Sequence, residues 1–424
     1  MTIKSTFFWT SVHTVIKILS GIVMNKIIAV YLGPAGLAMI GQFQNFSQLV
    51  INIATGSIHT GIIKYTAENK NNAEQLTKIW NNALYISLVL SMIVSFVIII
   101  FHNYFSNKIL FSYEYGNLII IFSLSIILYV LNMYIISIVN GLQNIKLYTI
   151  INIIISLLSL LIISYLSITY KMIGALYALI VTQSFVFFIS LILIYKKYKL
   201  DFFKFKTLNR NIDFGIIKQL LSYGLVSFVS GVTLSMMLLT VRYIIQIDAS
   251  IEYAGYWEAL WKISVYFTMI GMLPASIYYL PKYATLKSLE DIKSIFIESL
   301  KFFLPLQVFG ALILFYFKLD IIELLFTDDF VLIAPVLIFM LIGDTIRVVS
   351  YLIVNIMYSK GFMLKLIILD ISYNSLLIIL VFFLFKEYSL VGLGYSYLIA
   401  NIFVLLYVLK FYLNMDELLR EKVE

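Results

Sequence analysis

The chain is predicted to be an all-α integral membrane protein of about twelve transmembrane helices, divided into two pseudo-symmetric six-helix lobes. Three observations predict this: a composition starved of charge, a series of long apolar runs, and an internal repeat. Of its 424 residues, 62% are hydrophobic and only 12% are charged. A soluble domain carries about a quarter charged residues, so too few are present to cover a soluble globule of this length. The mean hydropathy of +0.99 agrees.

A helix needs about 20 apolar residues to cross the hydrocarbon layer, at a rise of about 1.5 Å per residue. Stretches at roughly 7–31, 37–62, 83–101, 117–140, 147–167, 172–195, 219–244, 255–280, 301–317, 331–357, 363–385 and 391–412 meet that test. They are continuous and lack the period-two alternation of a barrel strand, so helices are preferred. The first, in MTIKSTFFWTSVHTVIKILSG, has no small-residue cleavage site behind it and reads as a retained helix.

Lysine and arginine set the orientation. Only Lys108, Lys171, Lys318 and Lys386 fall in loops on one side, and five cations lie deep inside spans, which leaves 21 of the 30 for the other side, Lys301, Lys365 and Lys410 at span ends included. That side is expected to be cytoplasmic and to hold both termini.

The longest hydrophilic connection, KKYKLDFFKFKTLNRNIDFGIIKQ, follows the sixth span. The expected domains are an amino-terminal lobe at 1–195, a basic cytoplasmic linker at 196–218, a carboxy-terminal lobe at 219–413 and a cytoplasmic tail at 414–424. The repeat supports two halves. GPAGLAMIGQFQNFSQLV leads to GIIKYTAENKNNAEQLTKIWNNAL in the first half, and EYAGYWEALWKISVYFTM to IYYLPKYATLKSLEDIKSIFIESL in the second. Gly36 matches Gly255, and Lys64-Tyr65 matches Lys282-Tyr283. Six spans separate the copies, so both have the same orientation, a parallel repeat in which substrate binds between the halves.

Several function classes are excluded or disfavoured. With no cysteine there is no disulfide frame, thiolate metal site, iron–sulfur cluster or cysteine nucleophile. The histidines His13, His59 and His102 are not spaced as metal ligands, and no metal or cofactor is expected. No GxxxxGK[ST] loop marks an ATPase. The net charge of +8 is spread over inter-span loops, so no nucleic-acid face is expected. The stripe Ser227, Gly231, Ser235 reads as close helix packing.

Ionisable groups inside spans are costly and turn inward. The basic ones are Lys17, Lys26, Arg242, Lys262 and Arg347; the acidic ones are Glu258, Asp344 and Asp370. His13 and His59 add to the basic side. Glu258 with Lys262, and Asp344 with Arg347, have the spacing of neutralising pairs. Lys26 and Arg242 lie toward helix ends, where they are placed to snorkel to headgroups. Lys17 is near mid-helix with no acid on its helix, and Asp370 is alone in its span. Five cations against three anions favour an anionic substrate such as a pyrophosphate over a cationic drug.

WTSVHTVIKILSGIVMNKIIAVYLGPAGLAMIGQF, GIIKYTAENKNNAEQLTK, AGYWEALWKIS, SLKFFLPL and LIGDTIRV together resemble, in order and spacing, the Wzx-type polysaccharide flippases. These include the O-antigen and enterobacterial common antigen translocases of the multidrug, oligosaccharidyl-lipid and polysaccharide exporter superfamily. The resemblance implies a V-shaped exporter fold working by alternating access. It also implies transport of undecaprenyl-pyrophosphate-linked oligosaccharide from the cytoplasmic to the periplasmic leaflet of the bacterial inner membrane, and no enzyme activity. It casts Lys17, Lys26, Arg242 and Arg347 as substrate-binding cations and matches an acid at Asp370. The family pattern is not expected to have charges at Glu258 and Lys262, and the reading of buried charges alone adds Lys262 as a cavity cation and Asp370, Asp344 and Glu258 as candidate carriers for H+ or Na+. His13 and His59 are cavity candidates. Partners would be the lipid-linked glycan, membrane lipid, a polysaccharide polymerase and a chain-length regulator. The alternatives are a multidrug antiporter of the same superfamily and a membrane polysaccharide polymerase; the short outer loops count against the latter.

Overall fold

The computed structural model describes residues 3–198, 212–286 and 288–420, and all regular structure among them is helical. The helices are α1 (Ile3–Thr55), α2 (His59–Glu68), α3 (Ala73–Ile100), α4 (His102–Leu110), α5 (Gly116–Gly141) and α6 (Ile145–Tyr198) in the first part of the chain. There follow α7 (Phe214–Asp248), α8 (Ile251–Thr285), α9 (Leu289–Tyr316), α10 (Lys318–Leu325), α11 (Leu337–Ser359), α12 (Met363–Leu413) and α13 (Met415–Arg420). Among the described residues nine helices are long and apolar enough to cross a membrane. Three of the nine, α1, α6 and α12, are each two helices joined at a sharp kink. The nine therefore supply twelve spans, the number expected, and the chain is a multi-pass membrane protein.

The kinks have local causes. In α1 the break is at Gly33, with φ 65° and ψ −167°, a conformation open to glycine and strained for other residues. Pro34 then opens the second arm, where its missing N–H is no loss and its fixed φ suits a first turn. In α6 and α12 the corner residues are Lys171 (φ 52°, ψ −135°) and Ser389 (φ 51°, ψ −135°). Each is followed three residues later by a glycine pressed on backbone. A Cβ on Gly174 would lie 2.1 Å from the Leu166 carbonyl oxygen, and one on Gly392 2.1 Å from that of Leu384. KMIG and SLVG thus build one and the same corner in the two halves.

Two boundaries differ from expectation. The span expected at 37–62 ends at Thr55, because Gly56 and Ser57 both take positive φ and start α2 as a separate helix. The span expected at 301–317 belongs to a helix that starts at Leu289, so its amphipathic lead-in is continuous with it. Most of the basic linker expected at 196–218 lies outside the described residues, as does the last part of the tail.

Contacts divide the chain into two compact units: Met1–Leu32 with Met39–Ser235, and Gly33–Ala38 with Met236–Glu424. In unit 1, α5 is the hub and packs against α2, α3, α4 and α6. Its core gathers Ile58, Ile62, Ile79, Tyr134, Ile138 and Leu220 among others. Trp80 Nε1 donates to Thr66 Oγ1 (3.0 Å), and Tyr134 donates to the Trp80 carbonyl (3.1 Å). The start of α7 is anchored where Asp213 N donates to Asn82 Oδ1 (2.8 Å) and Asp213 caps Gly215 N. In unit 2, α11 is the corresponding hub, against α8, α9 and α12. Gly255 of α8 sits directly on Pro34, since a Cβ there would come 2.0 Å from the Pro34 carbonyl oxygen. The GPAG and EYAG segments matched as repeats therefore touch in unit 2.

The repeat lysines also behave alike. Lys64 lies over the rings of Tyr65 (5.2 Å) and Tyr223 (4.4 Å); Lys282 lies over those of Tyr278 (5.3 Å) and Tyr279 (5.8 Å). Large apolar side chains such as Leu161, Phe309, Phe383 and Leu406 are exposed along the helices, as lipid-facing surfaces require.

Candidate functional site

Unit 2 concentrates its ionisable groups where α7, α8, α11 and α12 meet. Glu258, Trp261 and Lys262 share one face of α8, and Ser264 follows Trp261 by about one turn. Glu258 is 3% exposed and holds two cations at once. Arg242 Nε donates to Glu258 Oε2 at 2.9 Å, and Lys262 Nζ is 3.3 Å from Oε1. Arg242 is 1% exposed, so it does not snorkel toward headgroups as its place in the helix suggested. The physical reason is Glu258: a buried carboxylate in reach compensates the guanidinium better than a long extension to water.

One helical turn further along α8 lies a second cluster. Asp344 of α11 is fully buried, and its Oδ1 accepts from Ser264 Oγ (2.5 Å) and Tyr397 OH (2.6 Å). Arg347 donates to the same Tyr397 hydroxyl at 3.3 Å. Asp344 and Arg347 are therefore bridged by Tyr397 and do not form the direct pair that their spacing suggested. Asp344 Oδ2 is buried with no hydrogen bond. Trp261 ties the clusters together: it meets Trp257 and Tyr397 ring to ring, and the Arg347 guanidinium lies 5.8 Å from its centroid.

Beyond Arg347 opens a cavity of about 220 Å3, with Tyr351, Tyr358, Asp370, Tyr373 and Asn401 in its lining. The second arm of α12, which starts at the Ser389 corner, delivers Tyr397 and Asn401; the first arm delivers Asp370 and Tyr373. The corner thus folds two stretches of one helix onto the same site.

The remaining candidates lie in unit 1. Lys17 is exposed, Lys26 half-buried and engaged, and α1 carries no acidic residue over its whole length. His13 meets the edge of Tyr148 at 6.4 Å. His59 opens α2, with Nδ1 buried and not hydrogen-bonded. The charge surplus read from the sequence is thereby apportioned. In unit 2 Arg242, Lys262 and Arg347 are matched in number by Glu258, Asp344 and Asp370, so the excess positive charge within spans falls on Lys17 and Lys26.

Sequence reasoning overlooked Ser264, Trp261, Tyr373, Tyr397 and Asn401. The signal available was polar and aromatic residues at helical spacing in otherwise aliphatic runs, such as Tyr397 and Asn401 one turn apart in GYSYLIAN.

Twelve spans, corners repeated in both halves and an ion network inside a helical bundle define a polytopic membrane transporter fold. Solved structures agree. An inward-facing multidrug resistance MATE family transporter of the MOP superfamily matches with a TM-score of 0.73 at 16% identity, covering 95% of this chain and 96% of that one. The outward-facing conformation of such a transporter matches with a TM-score of 0.71 at 16% identity, over 98% and 96%. The family model described as polysaccharide biosynthesis protein matches residues 3–287, and the chain belongs to that family. It is also similar to the Lipid III flippase of Escherichia coli (strain K12), 23% identical over 404 residues, which are 95% of this chain and 96% of the relative.

Proposed function

We propose that this protein is a flippase that carries an undecaprenyl-pyrophosphate-linked oligosaccharide from the cytoplasmic to the periplasmic leaflet of the inner membrane by alternating access. Its family membership and its near-full-length similarity to a lipid III flippase support the reading. The observation that carries the substrate's charge is the partition of ions. Lys17 and Lys26 lie on a 53-residue double helix without an acid, whereas the cations of unit 2 are matched by carboxylates. Lys17 and Lys26 sit on a helix that carries no carboxylate of its own, so they take the pyrophosphate role, and Arg242 and Lys262 serve chiefly to hold Glu258. A cationic drug would need the opposite surplus. Both termini are assigned to the cytoplasm on the lysine and arginine bias.

The test is flipping of a lipid-linked oligosaccharide in vesicles by the Lys17→Ala and Lys26→Ala proteins at matched incorporation. Loss of a charge-assisted contact to phosphate predicts a drop of about tenfold or more in at least one of them. Wild-type rates in both variants would sink the cationic role. Inward movement of H+ or Na+ is proposed to reset the cycle, with Asp370 as carrier. Asp370→Asn should then remove the dependence of flipping on an imposed ion gradient; an unchanged dependence takes Asp370 out of the cycle.

A further inference from the structure

We infer that unit 2 carries a binding site for an anionic glycerophospholipid of the inner leaflet, formed by Lys365 and Lys410 where the ends of the two arms of α12 lie side by side. The site is independent of the cargo. Partnering divides the lysines at this end of unit 2. Lys282 pairs with Glu298 and Lys293 with Asp416, each at 3.4 Å, and Lys360 donates to the Leu286 carbonyl. Among the described residues, Lys365 and Lys410 form no ion pair. The Lys365 ammonium lies instead 5.6 Å from the Phe362 ring centroid and 5.7 Å from that of Phe411, and those rings meet at 5.0 Å. Phe362 leads into the first arm and Phe411 lies near the end of the second, where Tyr407 donates to the Lys365 carbonyl at 3.1 Å. Both rings hold the ammonium in place by electrostatic attraction and spend none of its N–H donors. Lys410 precedes Phe411 and is exposed.

The repeat shows that the architecture requires neither lysine. The positive-φ turns at Gln143 and Gly361 and the corners at Lys171 and Ser389 share one register, which sets Leu147 against Lys365 and Ile192 against Lys410. The first copy buries the leucine and shows the isoleucine at its surface, 53% exposed, where the second copy carries cations. The surroundings name the ligand. Leu364 and Leu406, 70% and 62% exposed, flank the pair with aliphatic surface that suits acyl chains. Both lysines stand at span ends, the depth of the lipid headgroups, where basic residues attract anionic lipid. A phospholipid with one net negative charge meets both demands, its phosphodiester on the ammoniums and its chains on the leucines. Inorganic phosphate would use the cations alone, and a zwitterionic lipid would bring its own cation to them.

The test is native mass spectrometry of the full-length protein in a neutral detergent, titrated with phosphatidylglycerol, phosphatidylcholine and inorganic phosphate. A lysine at an anionic lipid surface is worth about fivefold in affinity. The first phosphatidylglycerol should therefore bind about 25-fold more tightly than the first phosphatidylcholine, and inorganic phosphate should not displace it. Lys365→Gln and Lys410→Gln should each weaken phosphatidylglycerol by about fivefold and leave phosphatidylcholine unchanged. Lys410 is exposed, so Lys410→Gln should fold as the wild type does, and it decides the matter if Lys365→Gln does not fold. Lys78→Gln is the control. It removes the same charge from an exposed lysine of unit 1 that is paired with Glu74, and phosphatidylglycerol affinity should not change. Equal affinity for the two lipids, displacement by inorganic phosphate, unchanged affinity in Lys410→Gln, or an equal loss in Lys78→Gln would each overturn the site.

Discussion

Replacing Glu258 by glutamine alters one atom and should cost unit 2 a large part of its stability. Glu258 neutralises Arg242 through Oε2 and Lys262 through Oε1. The amide keeps the shape and one acceptor but removes the charge, leaving two cations facing each other across a neutral group. Lys262, whose side chain is 18% exposed, retains some access to solvent; Arg242, at 2%, has none. Taking one partner from a buried ion pair costs about 3–5 kcal/mol because the other charge is left uncompensated. For a unit of this size about 2–4 °C is lost per kcal/mol, so the apparent melting temperature should fall by roughly 6–20 °C.

The complementary experiment replaces both Arg242 and Glu258 by methionine, which removes the buried guanidinium together with its partner and leaves only Lys262, whose side chain reaches solvent. Such exchanges are neutral or stabilising by about 1–4 kcal/mol when the volume is kept. The double variant should therefore melt above Glu258→Gln and near the wild type. The assay is the loss of the monodisperse peak on size exclusion after heating the solubilised protein. A Glu258→Gln protein that melts within a degree or two of wild type would refute the reasoning, as would a double variant no better than the single.

The close backbone approaches give further tests. Gly255→Ala sets a methyl against the Pro34 carbonyl, and Gly392→Ala sets one against the Leu384 carbonyl; with backbone on both sides neither can yield cheaply, and both proteins should be poorly expressed and aggregated on size exclusion. The corner residues predict the reverse. Lys171 and Ser389 hold a positive φ that costs a non-glycine residue about 1–3 kcal/mol, partly offset by the greater chain entropy of glycine, about 0.5–1 kcal/mol. Lys171→Gly and Ser389→Gly should each raise the apparent melting temperature by a few degrees, and a fall in both would show that the corner is held by side-chain contacts instead.

How much of this was legible in the sequence depends on which force set each feature. The spans were readable because the requirement behind them is simple: backbone polar groups in lipid must bond within their own helix, which demands long apolar runs. The repeat was readable at Gly36 and Gly255, which hold the same place in the two copies, and at Gly255 the approach of Pro34 requires a glycine. It was not read at the Lys171 and Ser389 corners, although the backbone there is nearly identical, because the two corner residues share no chemistry. Only the trailing Gly174 and Gly392 mark the place, and a lone glycine in an apolar run carries little information. The start of α2 was missed for a related reason. Gly56-Ser57 interrupts no hydrophobic pattern, and the turn shows only in its backbone angles.

The site shows where pattern reasoning stops. Spacing found the Glu258–Lys262 contact, since residues four apart on a helix meet wherever that helix sits. Spacing could not find the partner of Arg242, which comes from another helix, and so the sequence left that residue between a headgroup contact and a substrate-binding cation. It also overvalued Asp344 and Arg347: three residues apart, they stand side by side, yet Tyr397 from the far arm of α12 takes the place between them. A single hydroxyl that donates to Asp344 and accepts from Arg347 links acid and base without bringing the two charges into contact. That leaves the guanidinium turned to the cavity with most of its donors unspent. The same residue, Tyr397, thus holds one oxygen of the acid and frees the base, and it reaches the site only because the Ser389 corner turns the second arm of α12 back onto α11.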